Sequence, residues 1–180
     1  DLLASLGWEF QVAVPSVDET INPDEDISEA VKRISREKAL YVHQGFPGHV
    51  VLAADTVVCV DAMVLGKPGD MEDARRMIYL LNDRTHKVIT GVAIIRDQDI
   101  LLCREITEVT FRPLDRKAIE AYLATGEGMD KAGAYAIQGK GSLLVKTING
   151  CYFNVVGLPL YRVSSMLEKM GISLSSQWGS

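Results

Sequence analysis

The sequence lacks two features that binding to nucleic acid polymers or to membranes usually requires: a surplus of basic residues and a long hydrophobic run. Its 180 residues include 19 Lys and Arg against 24 Asp and Glu, which gives a formal net charge of −5. This balance disfavours a general electrostatic grip on nucleic acid or anionic lipid. The longest apolar runs, at residues 50–54 and 57–60, are far shorter than the roughly 20 residues that span a bilayer. We therefore predict no nucleic acid polymer and no membrane among its partners.

Cysteine and histidine are scarce as well. Cys59, Cys103 and Cys151 cannot all pair with one another, and none lies in a Cys-x-x-Cys motif. We expect reduced thiols buried in strands. No secretory signal is visible, so we expect a cytoplasmic protein. The three histidines, at positions 43, 49 and 86, are too scattered for a recognisable zinc site.

The composition that is present, 47% apolar and 24% charged residues, is that of a globular chain. Its length predicts one domain, or at most a domain with a small lobe. We place that domain at residues 1–174, followed by a flexible tail at residues 175–180. Hydrophobic spacing predicts a short first helix that ends at Gly7, and helices over residues 28–44, 70–81, 115–125 and 159–170. Strands are predicted over residues 9–14, 50–60, 64–65, 88–96, 100–111, 142–148 and 151–155. Several strands are joined by short turns, which predicts an α/β fold with a mixed sheet and helices on both faces.

Lys38 lies on the apolar stripe of the helix predicted over residues 28–44. Ala30, Val31 and Ile34 follow the spacing of one helix face, and a step of about 100° per residue puts Lys38 near the middle of that face. A lysine there either extends its ammonium group to solvent or meets a buried anion. The helix pattern alone leaves both readings open.

Asp55 is the sharpest chemical signal in the sequence. It interrupts eleven mostly apolar residues, 50–60, which read as a buried strand. A carboxylate there is costly unless it is paired, bound to a metal or placed at a cleft. The alternative is that the strand ends at Ala54 and Asp55 caps a turn. The apolar residues that resume at Val57 favour the functional reading.

Two further segments carry groups that suit an anionic ligand. Lys67 stands between Gly66 and Pro68, and the proline stiffens the turn that holds it. Residues 127–141 are rich in glycine and include Lys131 and Gln138, whose amide both donates and accepts hydrogen bonds. A solvated loop and a hairpin turn are the plainer alternatives. The sequence has no Walker motif for binding phosphates. It has no G-x-S-x-G elbow either, so acyl transfer has no support.

Taken together, these residues favour hydrolysis at phosphorus. The carboxylates of Glu19 and Asp55 could hold a metal, and the cations of Lys38, Lys67 and Lys131 could balance the charge of phosphate oxygens. For Lys131, a structural ion pair with Glu127 or Asp130 is the alternative.

Several segments in order resemble the Maf family of nucleoside triphosphate pyrophosphatases, and the resemblance covers nearly the whole chain. They are Val17-Asp18-Glu19, Glu37-Lys38-Ala39, Ala54-Asp55-Thr56-Val57-Val58, Leu65-Gly66-Lys67-Pro68, His86-Lys87-Val88-Ile89-Thr90-Gly91-Val92, Thr107-Glu108-Val109-Thr110-Phe111, the run from Gly126 to Tyr135, Gln138-Gly139 and Asn154-Val155-Val156-Gly157-Leu158-Pro159-Leu160. Each motif is weak alone, but their number and order are specific.

The resemblance implies a three-layer α/β/α fold with an elongated mixed sheet and a central cleft, and a homodimer. It implies hydrolysis of a nucleoside triphosphate to the monophosphate and pyrophosphate with a divalent metal, Mg²⁺ or Mn²⁺. Asp55 matches the family's proton acceptor, and Glu19, Lys38 and Lys67 match its charged positions. Glu19 and Asp55 are the expected metal ligands. Thr56 and Gln138 match positions linked to substrate choice, and Gln138-Gly139 resembles the subgroup that acts on dTTP and UTP.

The sequence departs from the family pattern at its start, where a strand and a Ser-x-Ser-Pro-Arg-Arg loop are expected and absent. Three other functions therefore stay open. One is a housecleaning pyrophosphatase for modified nucleotides. Another is a nucleotide-sensing regulator of cell division, as in septum formation, and the third is a module that only binds protein.

Overall fold

The computed structural model describes residues 2–179 and contains seven helices and five strands in that range. The helices are α1 (Leu2–Ser5), α2 (Ile27–Gly45), α3 (Met71–Leu81), α4 (Arg116–Leu123), α5 (Tyr152–Val156), α6 (Leu160–Lys169) and α7 (Leu174–Gln177). The strands are β1 (Val51–Val60), β2 (Met63–Leu65), β3 (Thr85–Arg96), β4 (Asp99–Phe111) and β5 (Val145–Asn149). Two short 3₁₀ helices, Ala132–Ala134 and Gly139–Leu144, lie between α4 and β5. No helix of the described range is both long and apolar enough to cross a bilayer.

The strands form one sheet in the order β2-β1-β3-β4-β5. β2 pairs with only the last three residues of β1, because the tight turn at Asp61 and Ala62, both with positive φ, reverses the chain at once. The two edge pairs, β1 with β2 and β4 with β5, are both antiparallel. A mixed sheet also needs a parallel pair, and these two pairs do not provide one. The predicted α/β class is confirmed.

The described chain divides into two compact units, and each has its own apolar core. The first unit comprises residues 2–55, 90–105 and 158–179, and the second comprises residues 56–89 and 106–157. The first core includes Val92 and Ile94 of β3 packed with Val163, Met166 and Leu167 of α6. The second is larger and includes Val58, Ile78, Leu81, Phe111 and Ile119. That the chain is a single domain stays a prediction.

The strand predicted over residues 9–14 is wrong. These residues have no helical or strand pairing, and Val12 and Val14 are 82% and 87% exposed. Phe10, Val12 and Val14 stand at alternate positions, a pattern that is typical of a half-buried strand. Strand propensity reflects packing against neighbours, and without a paired neighbour the segment forms no ladder.

The strand predicted over residues 151–155 is also wrong, because Tyr152–Val156 forms α5. The buried amide of Asn154 donates hydrogen bonds to the carbonyl of Val88 and the hydroxyl of Thr107, and these tertiary contacts hold the turn. Cys151 therefore precedes a helix, whereas Cys59 and Cys103 lie in strands as predicted. All three cysteines are free.

Residues 175–177 of the predicted tail belong to α7, and the buried Gln177 at its end accepts a hydrogen bond from the indole nitrogen of Trp8 through its backbone carbonyl. That the tail is flexible stays a prediction. Ser180 lies outside the described residues. In α3 the buried residues include Ala74 and Ile78, whereas Met71, which begins the helix, is 39% exposed.

Gly91 allows α2 and β3 to come close together in the first unit. A Cβ atom at Gly91 would lie 2.2 Å from the backbone carbonyl oxygen of Val31 in α2. Backbone cannot rotate away as a side chain can, so Gly91→Ala should push the helix off the strand. We expect a loss of about 2 kcal/mol in the free energy of unfolding, measured by urea denaturation. Gly45→Ala in the same helix meets nothing within 4 Å and is the control. An equal loss in both variants would contradict the close approach.

Candidate active site

Asp55 lies in the middle of β1, which continues through Asp55 and Thr56 without a break. The alternative that the strand ends at Ala54 is therefore wrong. The side chain of Asp55 is only 11% exposed, and its Oδ1 atom accepts a hydrogen bond of 2.7 Å from Nζ of Lys38. The carboxylate is thus stabilised by a cation, as a charge at a largely buried position requires.

Lys38 reaches Asp55 from the buried face of α2. The helix begins at the side chain of Asp26, which accepts hydrogen bonds from the backbone of Ser28 and Glu29, and its buried residues include Val31 and Ile34. Lys38 on the same face is 14% exposed, so it meets a buried anion and does not extend to solvent. Although burial opposes the charged form, hydrogen bonds to Asp55 and Glu19 raise the pKa of Lys38 above its ordinary value. The ammonium group is charged at neutral pH.

Glu19 brings a second carboxylate to the same ammonium group. Its Oε2 atom lies 2.9 Å from Nζ of Lys38, and its side chain is 57% exposed. Glu19 belongs to the loop before α2, and Arg33 of that helix holds the loop. Arg33 donates two hydrogen bonds of 2.9 Å to Glu25 and one of 3.0 Å to the carbonyl of Thr20, next to Glu19. The sequence gives no signal for Arg33, because an arginine on the surface of a helix is common.

The donor set at this point of the first unit suits a divalent cation. Oxygen atoms of Glu19 and Asp55 converge within hydrogen-bond distance of one nitrogen atom, and two carboxylates carry more negative charge than one lysine balances. Carboxylate oxygens are the ligands that Mg²⁺ takes, with substrate phosphates and water completing its shell. Within residues 2–179 no three Asp, Glu, His or Cys side chains are grouped as a complete metal site. Glu19 and Asp55 are the residues of this group that could hold such an ion.

The remaining predicted site residues lie in the second unit. The hydroxyl of Thr56 donates a hydrogen bond of 3.4 Å to the carbonyl of Gly157. The hydrogen bond from Lys131 is the main cause that lowers the pKa of Asp130 below its ordinary value, and the charge of Lys67 adds to this effect. Lys67 itself is exposed. Lys131 is paired with Asp130 at 2.6 Å, so of its two suggested partners the structure shows Asp130.

Gln138 is exposed and directly precedes the second 3₁₀ helix, Gly139–Leu144. The start of this helix is held by Glu127, whose carboxylate accepts hydrogen bonds from the backbone nitrogens of Lys140 and Gly141. The sequence suggested Glu127 only as a partner for Lys131. An acidic residue facing a glycine-rich turn was the signal for its structural role, since such a turn exposes unpaired N–H groups.

Comparison with known proteins places these residues in a family. Maf-like protein is the family that matches, over residues 1–170. A dTTP/UTP pyrophosphatase of Symbiobacterium thermophilum is 48% identical over 171 residues, which cover 95% of this chain and 88% of that protein. A dTTP/UTP pyrophosphatase of Syntrophomonas wolfei is 46% identical, covering 97% of this chain and 93% of that protein. A dTTP/UTP pyrophosphatase of Dictyoglomus thermophilum is 42% identical, covering 97% of this chain and 92% of that protein.

Proposed function

Since the chain belongs to the Maf-like protein family, we propose that it is a nucleoside triphosphate pyrophosphatase that hydrolyses dTTP and UTP to the monophosphate and pyrophosphate. Relatives named for this activity match at least 95% of the chain at 42–48% identity. The structural observation that supports the proposal is the convergence of Glu19 and Asp55 on Lys38. A largely buried carboxylate beside a protonated lysine supplies both a proton acceptor and a cation for phosphate oxygens.

The reaction requires that a proton leave the attacking water. The water oxygen forms a bond to the α-phosphorus as the bond from that phosphorus to the oxygen bridging the α- and β-phosphates breaks. In our proposal the carboxylate of Asp55 accepts the proton of this water, and pyrophosphate leaves with the electron pair of the broken bond. Lys38, which is held by both carboxylates, stabilises the negative charge that develops on the phosphate oxygens.

Glu19 and Asp55 are the residues that would hold Mg²⁺ or Mn²⁺. Such an ion, when bound, supplies Lewis-acid charge to the phosphate oxygens. Arg33 supports this arrangement because it fixes the loop beside Glu19 through the carbonyl of Thr20.

The other assignments are also part of the proposal. A phosphate contact by Lys67 and selection of the base by Thr56 and Gln138 rest on the resemblance, whereas a phosphate contact by Lys131 rests on its charge alone. Pairing with Asp130 favours a structural part for Lys131. A homodimer is proposed on the resemblance alone, and a cytoplasmic location on the three free cysteines.

The substrate assignment is tested by pyrophosphate release. With Mg²⁺ or Mn²⁺, the chain should hydrolyse dTTP and UTP with a kcat/KM about tenfold or more above that for methylated GTP or ITP, because hydrogen bonds to the base separate pyrimidines from purines. Pyrophosphate and not orthophosphate should be the product. Faster hydrolysis of methylated GTP or ITP would favour the housecleaning function. Triphosphate bound with metal but left intact would favour the sensor.

A further inference from the structure

The turn that follows Gln138 is held from one side by a single carboxylate. The Oε1 atom of Glu127 accepts a hydrogen bond of 2.9 Å from the backbone nitrogen of Lys140, and its Oε2 atom accepts one of 2.7 Å from that of Gly141. Both N–H groups belong to the first turn of the 3₁₀ helix, and for Lys140 the i→i+3 pattern of the helix offers no earlier carbonyl. Hydrogen bonds from backbone N–H groups to a carboxylate are among the stronger ones in proteins.

Glu127 is itself held in place by its neighbours. Gly126 has a φ of +67° at the end of α4, and the backbone nitrogen of Glu127 donates to the hydroxyl of Thr125. A Cβ atom on Gly128 would lie only 1.9 Å from the carbonyl oxygen of Ala134, so the chain after Glu127 is tightly packed against backbone. The carboxylate therefore projects from a fixed point onto the turn.

The turn is built closely around this carboxylate. Gly139 has a φ of +70°, in the region that favours glycine, and a Cβ atom there would lie 2.2 Å from Oε1 of Glu127. A second side chain also ties the turn, since the hydroxyl of Ser142 donates to the carbonyl of Gly139 at 2.7 Å. Gln138 is exposed at the head of this turn, so its direction depends on how the turn is held.

We propose that Glu127 is the positioning residue for Gln138, and that it sets the preference among nucleotide bases without taking part in hydrolysis. This inference rests on the proposed function. Gln138 donates to and accepts from a base only if its amide is held at one place and angle. Glu127 provides that restraint through the two amides of Lys140 and Gly141. Loss of Glu127 should therefore change the preference among bases as loss of Gln138 does, with little change in the rate of the chemical step.

The test is a double-mutant cycle on nucleotide preference, defined as kcat/KM for dTTP divided by kcat/KM for GTP. Glu127→Ala and Gln138→Ala should each lower this ratio by about tenfold, and the double variant should lower it no further than Gln138→Ala alone. The loss should appear mainly as a higher KM for dTTP. Gly139→Ala, which keeps the carboxylate but displaces it, should resemble Glu127→Ala.

Amide hydrogen exchange gives a readout that does not depend on activity. The amides of Lys140 and Gly141 should exchange at least about tenfold faster in Glu127→Ala than in the parent chain. Glu120→Ala is the matched control, since Glu120 also accepts two hydrogen bonds, from Arg75, in the second unit. It should change neither the nucleotide ratio nor these two amides.

The outcomes separate this inference from the function on which it rests. An active parent chain whose preference survives Glu127→Ala, or whose losses multiply in the double variant, overturns the positioning role. A preference unchanged by Gln138→Ala also overturns it while leaving hydrolysis in place. A parent chain that cleaves none of the nucleotides overturns the proposed function, and this inference with it.

Discussion

Asp55→Asn should lower the turnover of dTTP by about 10²- to 10⁴-fold, the range that removal of a general base produces. The substitution preserves the shape of the side chain, and its amide oxygen still accepts the hydrogen bond that Lys38 now donates at 2.7 Å. It removes the ability to accept a proton from the attacking water. Because the contact with Lys38 persists, thermal unfolding should stay cooperative and α2 should stay in place. Steady-state pyrophosphate release, together with circular dichroism, measures both effects.

Asp61→Asn is the matched control for this loss. Asp61 follows β1 directly and forms an ion pair with Arg84, so the variant removes the same charge from the end of the same strand. Its φ of 47° suits asparagine, which adopts the left-handed conformation readily. Turnover in this variant should stay within about twofold of the parent, since surface ion pairs contribute little. Near-normal turnover in Asp55→Asn would remove Asp55 from the role of base.

The contact between Lys38 and Asp55 could be predicted in kind but not in detail from the sequence. A lysine centred on an apolar helix stripe and an aspartate within an apolar strand each carry a charge that needs a partner. The structure pairs them with each other. Residues 38 and 55 are far apart in the chain, and local patterns hold no information on which helix packs on which strand. Their chemistry grouped them in one site but not as a pair, and neither that chemistry nor the resemblance pointed to Arg33 behind Glu19.

The two strands that were predicted and not found show where propensity fails. Residues 9–14 alternate as a strand does, yet a strand is defined by a paired neighbour, and these residues have none in the described chain. Residues 151–155 are rich in aromatic and β-branched side chains, but Asn154 directs its amide to Val88 and Thr107 and holds a helical turn. In both cases contacts between distant segments decided the outcome.

His86 should make the protein strongly sensitive to acid. It is 2% exposed near the start of β3, where its ring packs edge-on against Phe111 and Tyr135. Its Nε2 atom shares a hydrogen bond of 2.8 Å with the hydroxyl of Tyr135, and its buried Nδ1 atom has no hydrogen-bond partner among the described residues. Burial lowers the pKa of His86 from 6.5 to about 4. The folded protein thus keeps the ring neutral under conditions in which the unfolded chain protonates it.

The sign of the effect follows from this difference. Between pH 6.5 and about 4 the unfolded state binds a proton that the folded state does not, so the stability present above pH 6.5 is lost as the pH falls. A fall in pKa from 6.5 to about 4 corresponds to about 3 kcal/mol in the free energy of unfolding. Urea denaturation at pH 7 and pH 4 should show this loss in the parent chain, in addition to that from its carboxylates.

His86→Gln isolates the histidine from those carboxylates. Glutamine does not titrate and can still form a hydrogen bond with the hydroxyl of Tyr135, so the variant should be less stable at pH 7 but should lose about 3 kcal/mol less than the parent on going to pH 4. The control is His49→Gln, the same substitution at an exposed position. This variant should lose as much free energy of unfolding between pH 7 and pH 4 as the parent does. If His86→Gln and the parent lose the same free energy between pH 7 and pH 4, the ring of His86 is already protonated in the folded state or is accessible to water. The ring of His86 would then pack less closely against Phe111 and Tyr135 than the edge-on contacts described above.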